Sequence, residues 1–302
     1  MNWGVFWSFL SAFLWSTTFV CARYLLAGRS IDPITLSVLR FALGGGFLLT
    51  VGLFWRRSQI IAIRRADFAR CLLLALLGIV GMSVFLFFGQ QYTGAINSSI
   101  IMQTSPVFIA LLGIFVGERL ALTSLGGILV SLTGTAIVMK ALTLQGFQMS
   151  FGQNSRGDLL VLASALCWSV YSAFSKPLVN KLGGYVATTW VMVAGALELI
   201  VLWCLWPEPA VWPGQAHKWM AVIYLALFPT AIAFFAWYEA MRLIKLSLLN
   251  VMQYLTPVFT ILLAWALLNE RITLWQSAGV VIVMLGIMLV SRQRSLRPAQ
   301  ID

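Results

Sequence analysis

Apolar runs of helix length alternate with short polar breaks from one end of the chain to the other. They predict ten spanning helices, at 4–26, 33–54, 68–91, 97–116, 122–140, 157–179, 185–206, 218–241, 248–268 and 274–291. Each is close to the ~20 apolar residues that cross a bilayer. The ten-residue alternating segments of a membrane barrel are not seen. Asp32-Pro33 predicts an N-cap followed by proline at the first helical position. Residues 141–156, rich in Gln, Ser, Asn and Gly, read as a linker. Residues 207–217 hold Pro207, Pro209 and Pro213 and cannot be helical throughout. Trp203, Trp206, Trp212 and Trp219 flank that loop as an interfacial aromatic belt would.

The pattern also repeats. Asn97 to Leu122 carries Gln103, Thr104, Ser105, Pro106, Val107 and Phe108 and ends in Glu118-Arg119. Asn250 to Leu274 carries Gln253, Tyr254, Leu255, Thr256, Pro257, Val258 and Phe259 and ends in Glu270-Arg271. Pro106 recurs as Pro257 at an offset of 151 and Glu118 as Glu270 at 152, while Trp15-Ser16 recurs as Trp168-Ser169 at 153. The chain therefore divides into a five-helix unit at 1–140, a linker at 141–156, a second five-helix unit at 157–291 and a cytoplasmic tail at 292–302. An odd number of helices makes the second unit enter the membrane from the opposite side. The expected fold is an all-α polytopic membrane protein built from two inverted repeats, with a site between them near the midplane. Duplication that merely builds a stable bundle is the bland alternative. Polar groups on equivalent helices favour transport.

Composition agrees. Of 302 residues, 61% are hydrophobic and only 10% charged, whereas soluble domains are about half apolar and about a quarter charged. The net charge of +11 reads as orientation signal rather than nucleic-acid binding. With the N-terminus inside, the cytoplasmic segments hold Arg56, Arg57, Arg64, Arg65, Arg70, Arg119, Lys176, Lys181, Arg242, Lys245 and the basic tail, and outnumber the outer cations, so both termini are expected in the cytoplasm. Cys21, Cys71, Cys167 and Cys204 form no Cys-x-x-Cys pair, and His217 is the single histidine. Neither a metal site nor a disulfide framework is expected. The first 25 residues lack a basic n-region and read as a spanning helix rather than a signal peptide.

Candidate functional residues follow from polarity inside the spans. Pro106 and Pro257 each remove a backbone donor and free a carbonyl; a tolerated kink or a cavity-lining bend both fit. Gln103 with Pro106, and Asn250 and Gln253 with Pro257, share helix faces; interhelical glue competes with cavity lining. Trp15, Ser16, Trp168, Ser169, Tyr171 and Tyr254 are candidate cavity walls, against plain packing. Charges in spans are sharper signals. Glu198 is a candidate proton carrier or amine partner, or else a hydrogen-bonded structural acid. Arg40 faces a cavity or snorkels. Glu239 reads as a local pair with Arg242. Glu118, Arg119, Glu270 and Arg271 are candidate gates or turn caps. Gly126, Gly127, Gly134, Gly279 and Gly286 give small-residue faces for close packing or a homodimer.

Tyr92-Thr93, Ala95, Ser98-Ser99, Pro106 with Phe108, and Gly117-Glu118-Arg119 resemble the central signature of the EamA family of the drug/metabolite transporter superfamily. Trp15-Ser16, Arg40-Phe41-Ala42 and their second-half partners are similar too, over about residues 4–291. Asn269 stands where the family has glycine. The resemblance implies ten helices and export or exchange of small metabolites such as amino acids, in a cell's inner membrane. The expected partners are a small-molecule substrate, the lipid bilayer, a coupling proton and a second copy of the chain; no cofactor, metal or nucleic acid is expected. No nucleotide loop or plausible triad supports an enzyme or an ATP-driven pump. The alternative class is a membrane enzyme or lipid-handling translocase.

Overall fold

The computed structural model describes residues 3–115, 122–138, 142–143, 146–147, 153–244, 252–253 and 255–294. The first half holds α1 (Trp3–Ala27), α2 (Pro33–Trp55), the short α3 (Arg57–Ile61), α4 (Arg65–Ala75), α5 (Met82–Tyr92), α6 (Ala95–Met102), α7 (Ser105–Phe115) and α8 (Leu122–Val138). The second holds α9 (Gln153–Leu182), α10 (Gly184–Leu205), α11 (Ala216–Ala226), α12 (Ala233–Leu243), α13 (Leu255–Leu268) and α14 (Leu274–Arg294). Between them Leu142–Thr143 and Gly146–Phe147 pair as a two-residue antiparallel hairpin. The linker region thus carries a hairpin, and α9 begins at Gln153, ahead of the expected start.

Among the described residues six helices are long and apolar enough to cross a membrane, and three more apolar helices are shorter. The protein is all-helical in architecture. Phe54, Trp55 and Leu274 stand exposed with many other large apolar side chains, a surface that suits lipid rather than water.

The fourth expected span is broken. Pro106 cannot donate to Met102 O, so the chain turns through Gln103 and Thr104 on bonds to Ile100 O and Ile101 O before α7 resumes. Two other helices carry π-helical turns. Leu76–Gly81 joins α4 to α5, and Leu227–Ile232 joins α11 to α12. The second lies 151 residues after the first, the offset that relates the two prolines. Gly78 and Gly81 in the first admit the side chains of Tyr171 and Cys167 from α9; a Cβ at Gly78 would run into the Tyr171 ring. In the second, Pro229 withholds its donor from Leu225 O, and the Thr230 hydroxyl donates there instead at 2.8 Å.

Helix pairing follows the same duplication. α5 packs on α9 as α12 packs on α1, and α7 on α9 as α13 on α1. α2 pairs with α10 in antiparallel fashion: Trp203 Nε1 donates to Thr35 Oγ1, Gly45 abuts Met192, and the Tyr185 hydroxyl donates to Leu48 O. α8 and α14 are antiparallel as well. Gly134 meets Gly279 and Val283, and Gly286 meets Gly127 and Ser131, backbone against backbone. Gly127, Gly134, Gly279 and Gly286 are thus spent on this contact, while Gly126 lies off it.

Local signals hold. Asp32 caps α2, its Oδ1 accepting from Thr35 N and its Oδ2 from Val211 N, each at 2.8 Å. It thereby ties the 207–215 loop down, where the Trp203, Trp212 and Trp219 rings touch in series. Asn269 has φ 54°. This left-handed position favours glycine, and asparagine is among the few residues that also adopt it readily.

The glycine contacts generate a contrast. Gly286→Ala drives a methyl into the α8 backbone, whereas at Gly126 the added Cβ meets nothing within 4 Å. Overpacking costs about 1–3 kcal/mol. Gly286→Ala is expected to lower the unfolding temperature in detergent by several degrees and Gly126→Ala to leave it unchanged or raise it. Equal melting temperatures would show that α8 and α14 do not pack as described.

Candidate functional site

At the middle of the bundle six aromatic side chains from three helices converge. Trp15 on α1 meets Trp168 on α9 edge-on with ring centroids 5.8 Å apart. Phe234 of α12 touches both, at 5.4 and 5.7 Å. Trp237 lies 5.3 Å from Trp15, and Tyr171 5.4 Å from Trp168. The Tyr171 and Tyr238 hydroxyls share a hydrogen bond of 2.6 Å in a buried setting. Trp15 and Trp168 are repeat mates, so equivalent residues of the two halves meet here. Sequence reasoning found Trp15, Trp168 and Tyr171 and passed over Phe234, Trp237 and Tyr238, although their i, i+3, i+4 spacing marks one helix face.

Ser16 and Ser169 sit beside the tryptophans, but their hydroxyls are committed to backbone. Ser16 donates to Phe13 O at 2.6 Å, and Ser169 to Ala165 O at 2.6 Å and Ser105 O at 3.0 Å. Repeat-related bonds fasten the flanking helices: Ser105 Oγ to Ala165 O on one side, and Thr256 Oγ1 to Ala12 O on the other.

The proline-freed carbonyls both find donors. Met102 O, released by Pro106, accepts from Ser105 Oγ at 2.7 Å. Gln253 O, released by Pro257, accepts from Gln103 Nε2 of the other half at 3.3 Å. Gln103 and Gln253 are therefore brought together, and the Gln253 Nε2 remains enclosed without a partner. Asn250 and Tyr254 lie outside the described residues.

Glu270 does not pair with its neighbour Arg271. It reaches the first half, where Oε1 and Oε2 accept from Ala95 N and Ile96 N at 3.1 and 3.2 Å. A carboxylate on these free N–H groups suits the helix start. Arg23 Nε stands 3.8 Å from the same carboxylate, while its Nη1 donates to Gln90 O at 2.6 Å. Gly94 has no side chain to block Glu270. Nearby, Thr273 and Gln276 cap α14 reciprocally, and Gln276 Nε2 donates to Asn97 Oδ1. The sequence offered Glu270 as a turn cap or gate but did not name these partners. Glu118 and Arg119 lie outside the described residues, as does the Arg242 side chain expected beside Glu239. A second inter-half lock, missed by sequence reasoning, joins buried Asp67 at the start of α4 to Lys181 at the end of α9, at 2.6 and 2.8 Å.

Two isolated charges remain in spans. Arg40 on α2 is fully buried. Its Nε donates to Thr230 Oγ1 at 2.7 Å, its guanidinium lies over Phe41 and Phe87, and its Nη1 has no hydrogen-bond partner. Glu198 sits on α10 between exposed Leu197 and buried Leu199 and has an enclosed Oε2 without a partner. Arg40 therefore does not snorkel. Among the described residues no cluster of His, Cys, Asp and Glu suits a metal ion.

This assembly of apolar spans, inter-half contacts and buried isolated charges defines an integral, multi-pass membrane transporter. The EamA-like transporter family matches residues 2–140 and 155–292, and the chain belongs to that family. A relative of 27% identity over 94% of this chain and 96% of its own is an uncharacterized transporter of Archaeoglobus fulgidus. Another, 27% identical over 94% of this chain and 92% of its own, is named a probable terminal-alkyne amino-acid exporter of Streptantibioticus cattleyicolor. An aromatic amino acid exporter of Ancylobacter novellus is 28% identical over 84% and 85%. A solved crystal structure shares the fold over 98% of this chain and 99% of that one, with a TM-score of 0.69 and 25% identity.

The Glu270 geometry separates two contributions. At 3.8 Å the ion pair with Arg23 is loose and partly solvated, worth under ~1 kcal/mol; the helix cap is worth about 1 kcal/mol or more. In a double-mutant cycle, Glu270→Ala is expected to lower stability clearly, while its coupling to Arg23→Ala stays small. A coupling that accounts for most of the Glu270 effect would overturn this assignment.

Proposed function

We propose that the chain is a secondary exporter of small organic metabolites, amino acids foremost, that works by alternating access between two inverted five-helix repeats and performs no enzymatic step. The observation that carries this reading is the meeting of repeat-related Trp15 and Trp168 at the centre of the bundle. Antiparallel pairing of equivalent helices, α2 with α10 and α8 with α14, supports inversion, because a two-fold axis in the membrane plane reverses each helix against its mate. The amino acid exporters among the relatives support the substrate class.

In this reading both termini lie in the cytoplasm, the membrane is the cell's inner membrane, and the units are 1–140 and 157–291 joined by the linker. The aromatic cluster with Gln103, Gln253, Pro106 and Pro257 forms the central path; Asn250 and Tyr254 extend it by sequence position. Arg23 and Glu270 close the outer face. Glu118 and Lys176 hold the repeat-equivalent sequence positions and act at the cytoplasmic face, with Arg119 and Arg271 beside the two gates. Glu198 carries the coupling proton. A homodimer would use a surface other than the α8–α14 contact.

Counterflow tests the reading. Purified protein in liposomes preloaded with a mixture of the twenty amino acids is expected to take up labelled amino acid in a saturable way, and Trp15→Ala to raise the half-saturation about tenfold or more. Absence of exchange for every amino acid, or non-saturating conductance, would overturn it. An imposed pH gradient is expected to accelerate uptake by the parent protein but not by Glu198→Gln. A variant that keeps the acceleration removes Glu198 from coupling.

A further inference from the structure

Beside the aromatic cluster lie three enclosed polar atoms that the protein leaves unanswered: Arg40 Nη1, Gln90 Oε1 and Thr18 Oγ1. Their residues are at least nine-tenths buried, at 2%, 0% and 4% exposure. In a native core such groups are nearly always paired, and each orphan costs about 1–3 kcal/mol. Three on neighbouring helices need an explanation.

Contacts of α2 with α5, and of α5 with α1, connect the three residues. Arg40 reaches across from α2, with its guanidinium over Phe87 of α5 at 5.6 Å. Gln90 lies three residues after Phe87, on the same face of α5. Its Nε2 donates to Phe19 O on α1 at 3.0 Å. A carbonyl oxygen can only accept, so the amide orientation is fixed and the free atom is the acceptor, Oε1. That bond sets the amide against the Phe19–Val20 peptide, one residue after Thr18, whose hydroxyl is itself free. The other side of Arg40 is held by Thr230 in the π-helical turn of the second half. The cluster lies in the first half and is braced by the second.

Its chemistry is specific. Arg40 offers an unused charged donor, Gln90 an unused acceptor, and Thr18 a hydroxyl able to do either. Thr18 stands three residues after Trp15 on α1, and Phe234 four residues after Thr230. The polar cluster thus sits about one helical turn, ~5 Å, from the aromatic cluster. A solute with a carboxylate and an ammonium on one carbon and an apolar side chain matches both parts in order.

We infer that Arg40, Gln90 and Thr18 form a head-group subsite for a zwitterionic α-amino acid, with Arg40 on the carboxylate and Gln90 on the ammonium, while the substrate side chain enters the aromatic cluster around Trp15. This deepens the exporter reading and rests on it. Glu198 and the gate residues take no part.

Competition counterflow with labelled L-phenylalanine as probe tests the inference on the unmutated protein. Phenethylamine lacks the carboxylate and hydrocinnamic acid lacks the ammonium; each is expected to compete at least tenfold more weakly than L-phenylalanine. In Arg40→Gln the advantage of L-phenylalanine over phenethylamine is expected to shrink to under twofold, and in Gln90→Leu the advantage over hydrocinnamic acid likewise. Arg40→Lys keeps the charge but loses the planar fork and should fall between. Equal competition by the three compounds in the parent protein overturns the inference even if no variant folds. So does an Arg40→Gln variant that weakens all three alike, because a brace for Thr230 would do that. A parent protein that exchanges other amino acids but not phenylalanine overturns the aromatic placement of the side chain. Silence toward every amino acid overturns the exporter reading itself and the inference with it.

Discussion

A backbone inside lipid has no water to fall back on, so every N–H and C=O must find a partner within the protein. Prolines inside the helices break that rule locally, and the responses at three of them shape the molecule. Pro106 releases Met102 O, which Ser105 takes; Pro229 releases Leu225 O, which Thr230 takes. Pro257 releases Gln253 O, and the donor comes from Gln103 in the other half. The first repair breaks a spanning helix into α6 and α7. The second leaves a π-helical turn with a hydroxyl positioned to accept from Arg40. The third turns a local defect into a bond between the halves.

The same logic explains what the sequence revealed. The all-helical membrane class, the Asp32 cap and the duplication were legible because they depend on residue type and spacing along one chain. The Asn269 departure was visible as a missing glycine, though its left-handed backbone was not. The π-helical turns were not legible. One contains Pro229, but the other rests on Gly78 and Gly81 making room for α9, which is a property of the partner helix as much as of the segment. The fate of the hydroxyls was equally hidden. Ser16 and Ser169 looked like cavity residues, yet each satisfies a nearby carbonyl, a choice made by rotamer and neighbours. Glu270 was read beside Arg271 in sequence, whereas its partners lie about 175 residues upstream. Distance along the chain concealed the Asp67–Lys181 lock in the same way.

The two halves are equivalent in frame and unequal in content. Repeat-related hydrogen bonds hold α7 against α9 and α13 against α1, and the two tryptophans meet as mates. Yet Phe234, Trp237 and Tyr238 of α12 correspond to Ser83, Leu86 and Phe87 of α5 at the 151-residue offset. The aromatic mass therefore comes mainly from the second half, and the isolated guanidinium from the first. The two halves thus contribute unlike chemistry to the same region of the bundle.

Satisfied ionic groups and unpaired polar atoms coexist in the bundle. Asp67 with Lys181, and Glu270 with the α6 N-terminus, complete their hydrogen bonds. Arg40, Gln90, Thr18, Ser131, Gln253 and Glu198 lie on the helices with atoms unpaired. Each such atom destabilises the empty protein by about 1–3 kcal/mol, a cost that a ligand offering the complementary group removes. A conformation that encloses those atoms is therefore disfavoured when empty and favoured when occupied. Such a difference in affinity between states is the only means by which a solute can shift a conformational equilibrium. In the alternating-access reading proposed above, a solute that answers these atoms would favour the closed state by the same free energy, without any covalent step.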